Sequence, residues 1–462
     1  MTGPPFGFGP ADRPEEPEGS GQPGDPFGLS ALFGGQLPGG GADLFGQLQQ
    51  LLSWRGGPVN WDLAAQGATG AAGQQDPTVT AEDEQAVADA CRLADLWLDA
   101  VTTLPASPGE GVAWTRTEWV ERTLPAWKQL VDPVAGRVVA AMGQALEKGL
   151  EGGFGGAVPE GMPPEMLAGL LGGGQVRGVM DQVGGLVFGA QVGQALGALA
   201  GEVLGAGEVG LPLSEAGRPA LVPANVAAFT EGLELPAEEV RLYLALREVA
   251  HQRLFAHVPW LRAHLFDAVD AYARGIAVDP AAIEQAIGTL DPNDPESLQS
   301  ALGSGVFELE PTAAQKSALA RLETALALVE GWVDAVVDAA AAGPLPSATA
   351  LRETVRRRRA SGGPAEQTFA TLVGLQLRPR RLREAAELWA QAAAARGADG
   401  RDALWAHPDL LPGPDDLDDP AAFLARTAGT VGAGGQGGEG GGTDWDAELR
   451  GLDGDEGPTA QA

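Results

Sequence analysis

The chain has 462 residues, with 68 Gly, 35 Pro, one Cys and a formal net charge of −32. That charge excludes general nucleic-acid binding, which needs basic surface to release counterions, and disfavours adsorption to anionic membranes. The lone thiol, Cys91, excludes an intramolecular disulfide framework, and no basic stretch leads into an apolar run at the N-terminus, so the expected compartment is cytoplasmic.

Residues 1–79 read as a disordered Gly/Pro-rich region with too little apolar surface to offset chain entropy. Within it one short amphipathic helix is expected near 43–52, because Leu44, Phe45, Leu48, Leu51 and Leu52 share a helical face. That helix would dock on its own body or on a protein partner. Gly67 to Pro77 reads as linker. A folded body is expected over 80–426, opening at Thr80, a helix cap followed by Glu82, Asp83 and Glu84 in the first turn. The helix 81–102 then carries Val87, Ala90, Cys91, Ala94, Trp97, Leu98 and Val101 as one buried stripe, which makes Cys91 a structural thiol. A second helical region runs from Arg116 through Leu150, interrupted near Pro125 and Pro133, with Trp114, Trp119 and Trp127 as core anchors.

Glycine recurs every fourth residue at 185, 189, 193, 197, 201 and 205. The uncharged run 182–201 has the length of a membrane span, but it is only mildly apolar and no Lys/Arg cluster flanks it. A buried helix is expected instead, with a glycine stripe that lets a neighbouring helix approach closely. The central helix opens at Pro236 with Glu238 and Glu239, carries Val240, Leu244, His251, Leu254, Phe255 and Val258 near one face, and ends at Pro259. A further helix brings Leu261, Leu265, Val269, Tyr272 and Ile276 inward and ends near Gly275. More helices are expected at 294–303, 312–342, 347–360, 365–375 and 379–396.

Arg356 to Arg359 form the main basic concentration; without interleaved aromatics they read as helix-end charges paired to an acidic body. Residues 427–462 read as a disordered acidic, Gly-rich tail whose Asp444–Leu449 motif could dock into a partner groove. Strand-forming residues are scarce, so the fold class is mainly α. No G-x-x-x-x-G-K-[ST] occurs, and no G-x-G-x-x-G has a strand–turn–helix setting, so no nucleotide cofactor is expected.

Three of the four histidines lie within the stretch Leu242–Leu265. Arg247-Glu248-Val249-Ala250-His251 stands there in the form of H-E-x-x-H with the first histidine missing. In that motif two histidines at i and i+4 bind zinc, the glutamate activates the metal-bound water, and a third ligand comes from elsewhere. Glu248 is then the candidate base, His251 one ligand, and Glu330 the better candidate for another. His257 follows His251 at a six-residue spacing, but Leu254 takes the place of a turning glycine, so a helix continuing to Val258 would aim His257 away. The position of His407 says nothing either way.

The blocks REVAHQRLFAHVPWLRAHL (247–265), LALVEGWVDAVVD (326–338) and the stretch 351–389 resemble the actinobacterial zincin-like family. The resemblance covers roughly 80–425. It implies a zincin-like, mainly helical domain and a zinc-dependent metalloprotease or hydrolase activity. A related branch, associated with deazaflavin-cofactor biosynthesis, carries an intact H-E-x-x-H and has a histidine after E-G where this chain has Asp334. Arginine cannot ligate a metal, because it stays charged. Two readings follow. In one, the chain is a zinc metallopeptidase that uses Glu248, His251 and Glu330, completed by His257 or His264. In the other, it is an inactive zincin-like scaffold in which Arg247 takes the metal's place, pairs with Glu330 or Asp334, and leaves partner binding to the 43–52 helix or the 444–449 motif.

Overall fold

Eleven helices and one pair of two-residue strands make up the described part of the chain, which covers residues 57–151, 175–275, 312–360, 368 and 381–428 of a computed structural model. The expected mainly-α architecture is what the chain adopts. The helices expected at 43–52, 294–303 and 365–375 lie outside the described residues, as do the tail from 429 onward and its 444–449 motif (of 365–375, only Thr368 is described).

Helix α1 (Trp61–Gly73) starts on Asn60, whose side chain accepts from the Leu63 amide at 3.0 Å. It packs on α4 (Gln175–Ala200), the glycine-stripe helix. A Cβ at Gly189 would lie 2.6 Å from the Asn60 carbonyl oxygen, one at Gly193 2.9 Å from the Ala64 oxygen, and one at Gly197 2.6 Å from Ala71 Cβ. The two backbones are therefore in direct contact, as the stripe predicts. The partner helix, however, comes from the segment read as disordered region and linker. Folded structure begins by Asn60 rather than at Thr80. Gly67, Gly70 and Gly73 lower the helix propensity of α1, and packing of Ala64, Ala68 and Ala72 supplies what propensity does not. Among the described residues no helix is long and apolar enough to cross a membrane.

Helix α2 (Ala81–Leu98) opens with a capping box between Thr80 and Asp83 and buries Val87, Ala90, Cys91, Ala94 and Leu98 of the expected stripe, while Trp97 and Val101, the latter beyond the helix end, are only partly buried. Cys91 lies in that stripe, where burial, with Glu248 and Asp95 nearby, pushes its thiol well above the ordinary range. Strand β1 (Val112–Ala113) pairs in parallel with β2 (Ala220–Leu221). Between them, α3 (Arg116–Glu151) runs unbroken through Pro125 and Pro133, contrary to the expected interruptions. The carbonyls each proline leaves without a donor belong to Glu121 and Gln129, both on the exposed face where water can satisfy them. Trp114, Trp119 and Trp127 are buried, as expected of anchors.

Helix α5 (Pro223–Thr230) leads to α6 (Ala237–His257), which ends at Val258 and Pro259. Alternation in the sequence suggests one inward face, yet α6 is buried on all sides from Tyr243 to Phe255. It is a central helix, enclosed by α2, α8 (Ala313–Ala341) and the strands. Arg247, Glu248, His251, Gln252 and Arg253 are thus interior polar groups, and each needs a partner. Arg253 meets Asp95, Asp99 and the Leu104 carbonyl.

Helix α7 (Leu261–Arg274) stops at Gly275 as expected, and α8 starts on a Thr312–Gln315 capping box. Helix α9 (Ala348–Ala360) follows, then α10 (Leu382–Asp402), which kinks at Gly397 (φ 74°) close to the expected end at 396, and α11 (Pro420–Arg426). Helix α10 is locked onto α8 at Gly331, where a Cβ would lie 2.6 Å from Ala385 Cβ. Two indole bonds, Trp389 to the Leu328 carbonyl and Trp332 to Asp402, both at 2.9 Å, fix the same contact.

Candidate functional site

Helical spacing places Arg247 and His251 one turn apart on one face of α6, while Glu330 and Asp334 stand one turn apart on α8. The two faces meet. Arg247 Nη1 donates to Asp334 Oδ1 and Nη2 to Glu330 Oε2, each at 3.0 Å. His251 Nε2 lies 3.1 Å from Glu330 Oε1, and its Nδ1 lies 2.8 Å from the Arg247 carbonyl oxygen. Both ring nitrogens therefore face acceptors. Helix α9 closes the cluster with Arg356, which donates through Nε to Asp334 Oδ2 at 2.9 Å, and Arg359, which is ion-paired with Glu330 Oε2. Both carboxylates are 3% exposed or less, so these pairs are not screened by solvent.

Burial pushes the Glu330 carboxyl up, but Arg359, His251 and Arg247 together outweigh that and hold it far below the usual carboxylate range. Burial also works against the charge on Arg247, and here Glu330, Tyr243 and Asp334 prevail and keep the guanidinium firmly protonated.

Glu248 points to the other side. Its Oε2 accepts from the Gly207 amide at 2.7 Å; its Oε1 accepts from Gln252 Nε2 at 3.0 Å and, at 3.4 Å, from the Ala220 amide. Gln252 in turn accepts from the Gly217 amide at 3.0 Å. Burial raises the Glu248 carboxyl above its ordinary range, against the opposing pull of His251 and these donors. The candidate base is thus employed in holding the backbone of 207–220 against α6. Next to it, Arg247, Glu248, His251, Glu208 and Arg359 line a half-open cavity of about 20 Å³. At roughly 10–15 Å³ per water, that is room for a single solvent molecule.

The structure brings together Arg247, Glu248, His251, Glu330 and Asp334. It does not bring in the other histidines. His257 is exposed at the end of α6, which corrects its assignment as a ligand: the helix carries on where a chain turn would have been needed. His264 is half-buried edge-on against Trp260, with ring centroids 5.6 Å apart, and His407 pairs with Asp409 in solvent. Among the described residues no three His, Cys, Asp or Glu side chains converge as a metal site would require. The sequence places Arg356 and Arg359 outside the site, as helix-end charges paired to an acidic body; the acids they meet are those of the site, Asp334 and Glu330. In a run of four consecutive arginines no spacing singles these two out; the partners are set by tertiary packing.

Residues 59–424 match the family described as zincin-like metallopeptidase. A crystal structure of a candidate hydrolase with a novel fold from Chloroflexus aurantiacus superposes with a TM-score of 0.53 at 21% identity, covering 80% of this chain and 99% of that one. At that identity the likeness is one of fold. No curated protein matches the chain.

Proposed function

The chain belongs to the zincin-like metallopeptidase family, and we propose that it is a member in which an arginine has replaced the metal. On this reading it is a non-catalytic zincin-fold scaffold rather than a zinc hydrolase. The observation that carries the reading is Arg247, which stands in the position of the first motif histidine and bridges Glu330 and Asp334.

The residues present do not fit a catalytic zinc. Such a site takes three protein ligands and keeps a fourth position open. Among the described residues His251 and Glu330 are the only two candidate ligands that meet, and both Glu330 oxygens are engaged by Arg247, Arg359 and His251. A dication about 4 Å from a buried guanidinium is repelled by about 8 kcal/mol at an effective dielectric near 20. That consumes half or more of the roughly 10–16 kcal/mol that a structural zinc supplies. Family membership and the hydrolase description of the structural neighbour favour the second reading, a zinc hydrolase with Glu248 as base. Glu248 is already bound to the Gly207 and Ala220 amides, which speaks against that role. We assign partner binding to the sequence segments 43–52 and 444–449.

Metal analysis of the purified full chain tests the reading. Zinc well below one per chain, with a melting temperature unchanged by chelator, is expected. Near-stoichiometric zinc that disappears in His251→Ala would overturn it.

A further inference from the structure

One sequence motif has no role in the reading above: Gly205-Ala206-Gly207-Glu208-Val209-Gly210, a G-x-G-x-x-G. Where such a run follows a strand and opens a helix, its backbone amides cradle a phosphate. Here it does neither. It crosses the site as a strap, and each of its three glycines presses on a different part of the site. A Cβ at Gly205 would lie 2.8 Å from Glu248 Oε2, one at Gly207 2.9 Å from His251 Cβ, and one at Gly210 (φ 77°) 2.7 Å from Glu330 Oε1. The anion in contact with its amides is the chain's own Glu248, which accepts from Gly207.

The strap is also paired like a strand. Ala206 donates to the Ala220 carbonyl at 3.1 Å, Val222 donates to the Leu204 carbonyl at 3.0 Å, and Gly205 bridges Leu221 in antiparallel sense. It therefore covers the edge of β2 that β1 leaves free. Arg359 adds a 2.8 Å bond to the Glu208 carbonyl, and Leu204, Ala206 and Leu211 are buried. An extended peptide recognised by strand addition would need the same edge and the same main-chain groups.

We infer that Leu204–Gly210 is an internal peptide that occupies the groove beside α6 and holds it closed to an extended peptide from outside. The three glycines are what let main chain come this close to Glu248, His251 and Glu330. The inference is independent of metal content, since an empty or an arginine-filled site is sealed equally well by this strap.

Hydrogen exchange on the intact protein tests it together with binding of a fluorescein-labelled peptide of the strap's own sequence, Val203–Leu211. In the wild type the Ala206 and Gly207 amides should exchange within about tenfold of the α6 amides, and the peptide should not bind. Exchange at the rate of a free loop, or saturable binding of the peptide to the wild type, would overturn the inference. In Gly207→Val the branched side chain meets His251 and Glu248 and displaces the strap. Its amides should then exchange about a hundredfold faster than in the wild type while α8 and α10 stay protected. A folded Gly207→Val protein with an unchanged strap also counts against it. Where that variant does not fold, the two wild-type measurements decide.

Discussion

Replacing Arg247 by methionine removes the central cation while keeping much of the side-chain volume. Removing one partner of a buried ion pair costs about 3–5 kcal/mol, because the remaining charge is left uncompensated. In this site each carboxylate keeps a second cation: Glu330 keeps Arg359, and Asp334 keeps Arg356. The lower end, about 3 kcal/mol, is therefore expected. With roughly 300 structured residues and an unfolding entropy of about 2.1 cal/mol/K per residue, that loss lowers Tm by about 5 °C. Urea unfolding of Arg247→Met, Asp334→Asn and the double variant provides the assay. The two single losses should not add, and the coupling between them should exceed about 1 kcal/mol. A single variant within about 0.5 kcal/mol of wild type, or strict additivity, would refute the claim that Arg247 organises the site.

The acid limb of stability should depend on α9. The Glu330 pKa is depressed in the fold, so its contribution is present above the unfolded value of about 4.3 and is lost only as pH falls through the folded value. Arg359→Met removes the largest of the opposing cations and should move the acid-unfolding midpoint upward by roughly half a pH unit, read by circular dichroism. The glycines of α1 and α4 should divide by contact. A Cβ at Gly70 meets nothing within 4 Å, so Gly70→Ala should stabilise by about 0.5–1 kcal/mol. Gly193→Ala drives a Cβ to 2.9 Å from the Ala64 carbonyl and should destabilise by about 1–3 kcal/mol. Chemical denaturation of the two variants side by side checks both signs.

Most of the fold is legible in the sequence wherever local chemistry decides it. Thr80 announces α2 through its cap, Pro236 and Pro259 bracket α6, and the four-residue glycine period announces a close helix contact on α4. What is not legible depends on partners distant in sequence. The identity of α1 as the neighbour of that stripe is hidden, because three glycines and three alanines look like linker until packed. Pro125 and Pro133 suggest breaks because their position on the exposed face of α3 is a tertiary fact. In the site, the degenerate motif and Glu330 can be found by spacing. That Asp334 and Glu330 are held from α9 as well as α6 cannot, since a run of four arginines looks the same whether it faces solvent or the core.

The double hold on the carboxylates decides what would restore a metal. Arg247→His alone would recreate the i, i+4 pair of imidazoles on α6, and His251 already directs Nδ1 to a backbone carbonyl and Nε2 into the site. Yet Glu330 would still be engaged by Arg359, and that guanidinium would still repel an incoming dication. Zinc uptake therefore requires Arg247→His together with Arg359→Met, which leaves two imidazoles and a freed carboxylate. In a thermal titration with ZnCl₂ the double variant should gain about 2.7 kcal/mol once zinc reaches about a hundred times its Kd, while Arg247→His alone should gain little. Equal gains in both variants would show that α6 alone excludes the metal and that the α9 arginines are ordinary surface-anchoring charges.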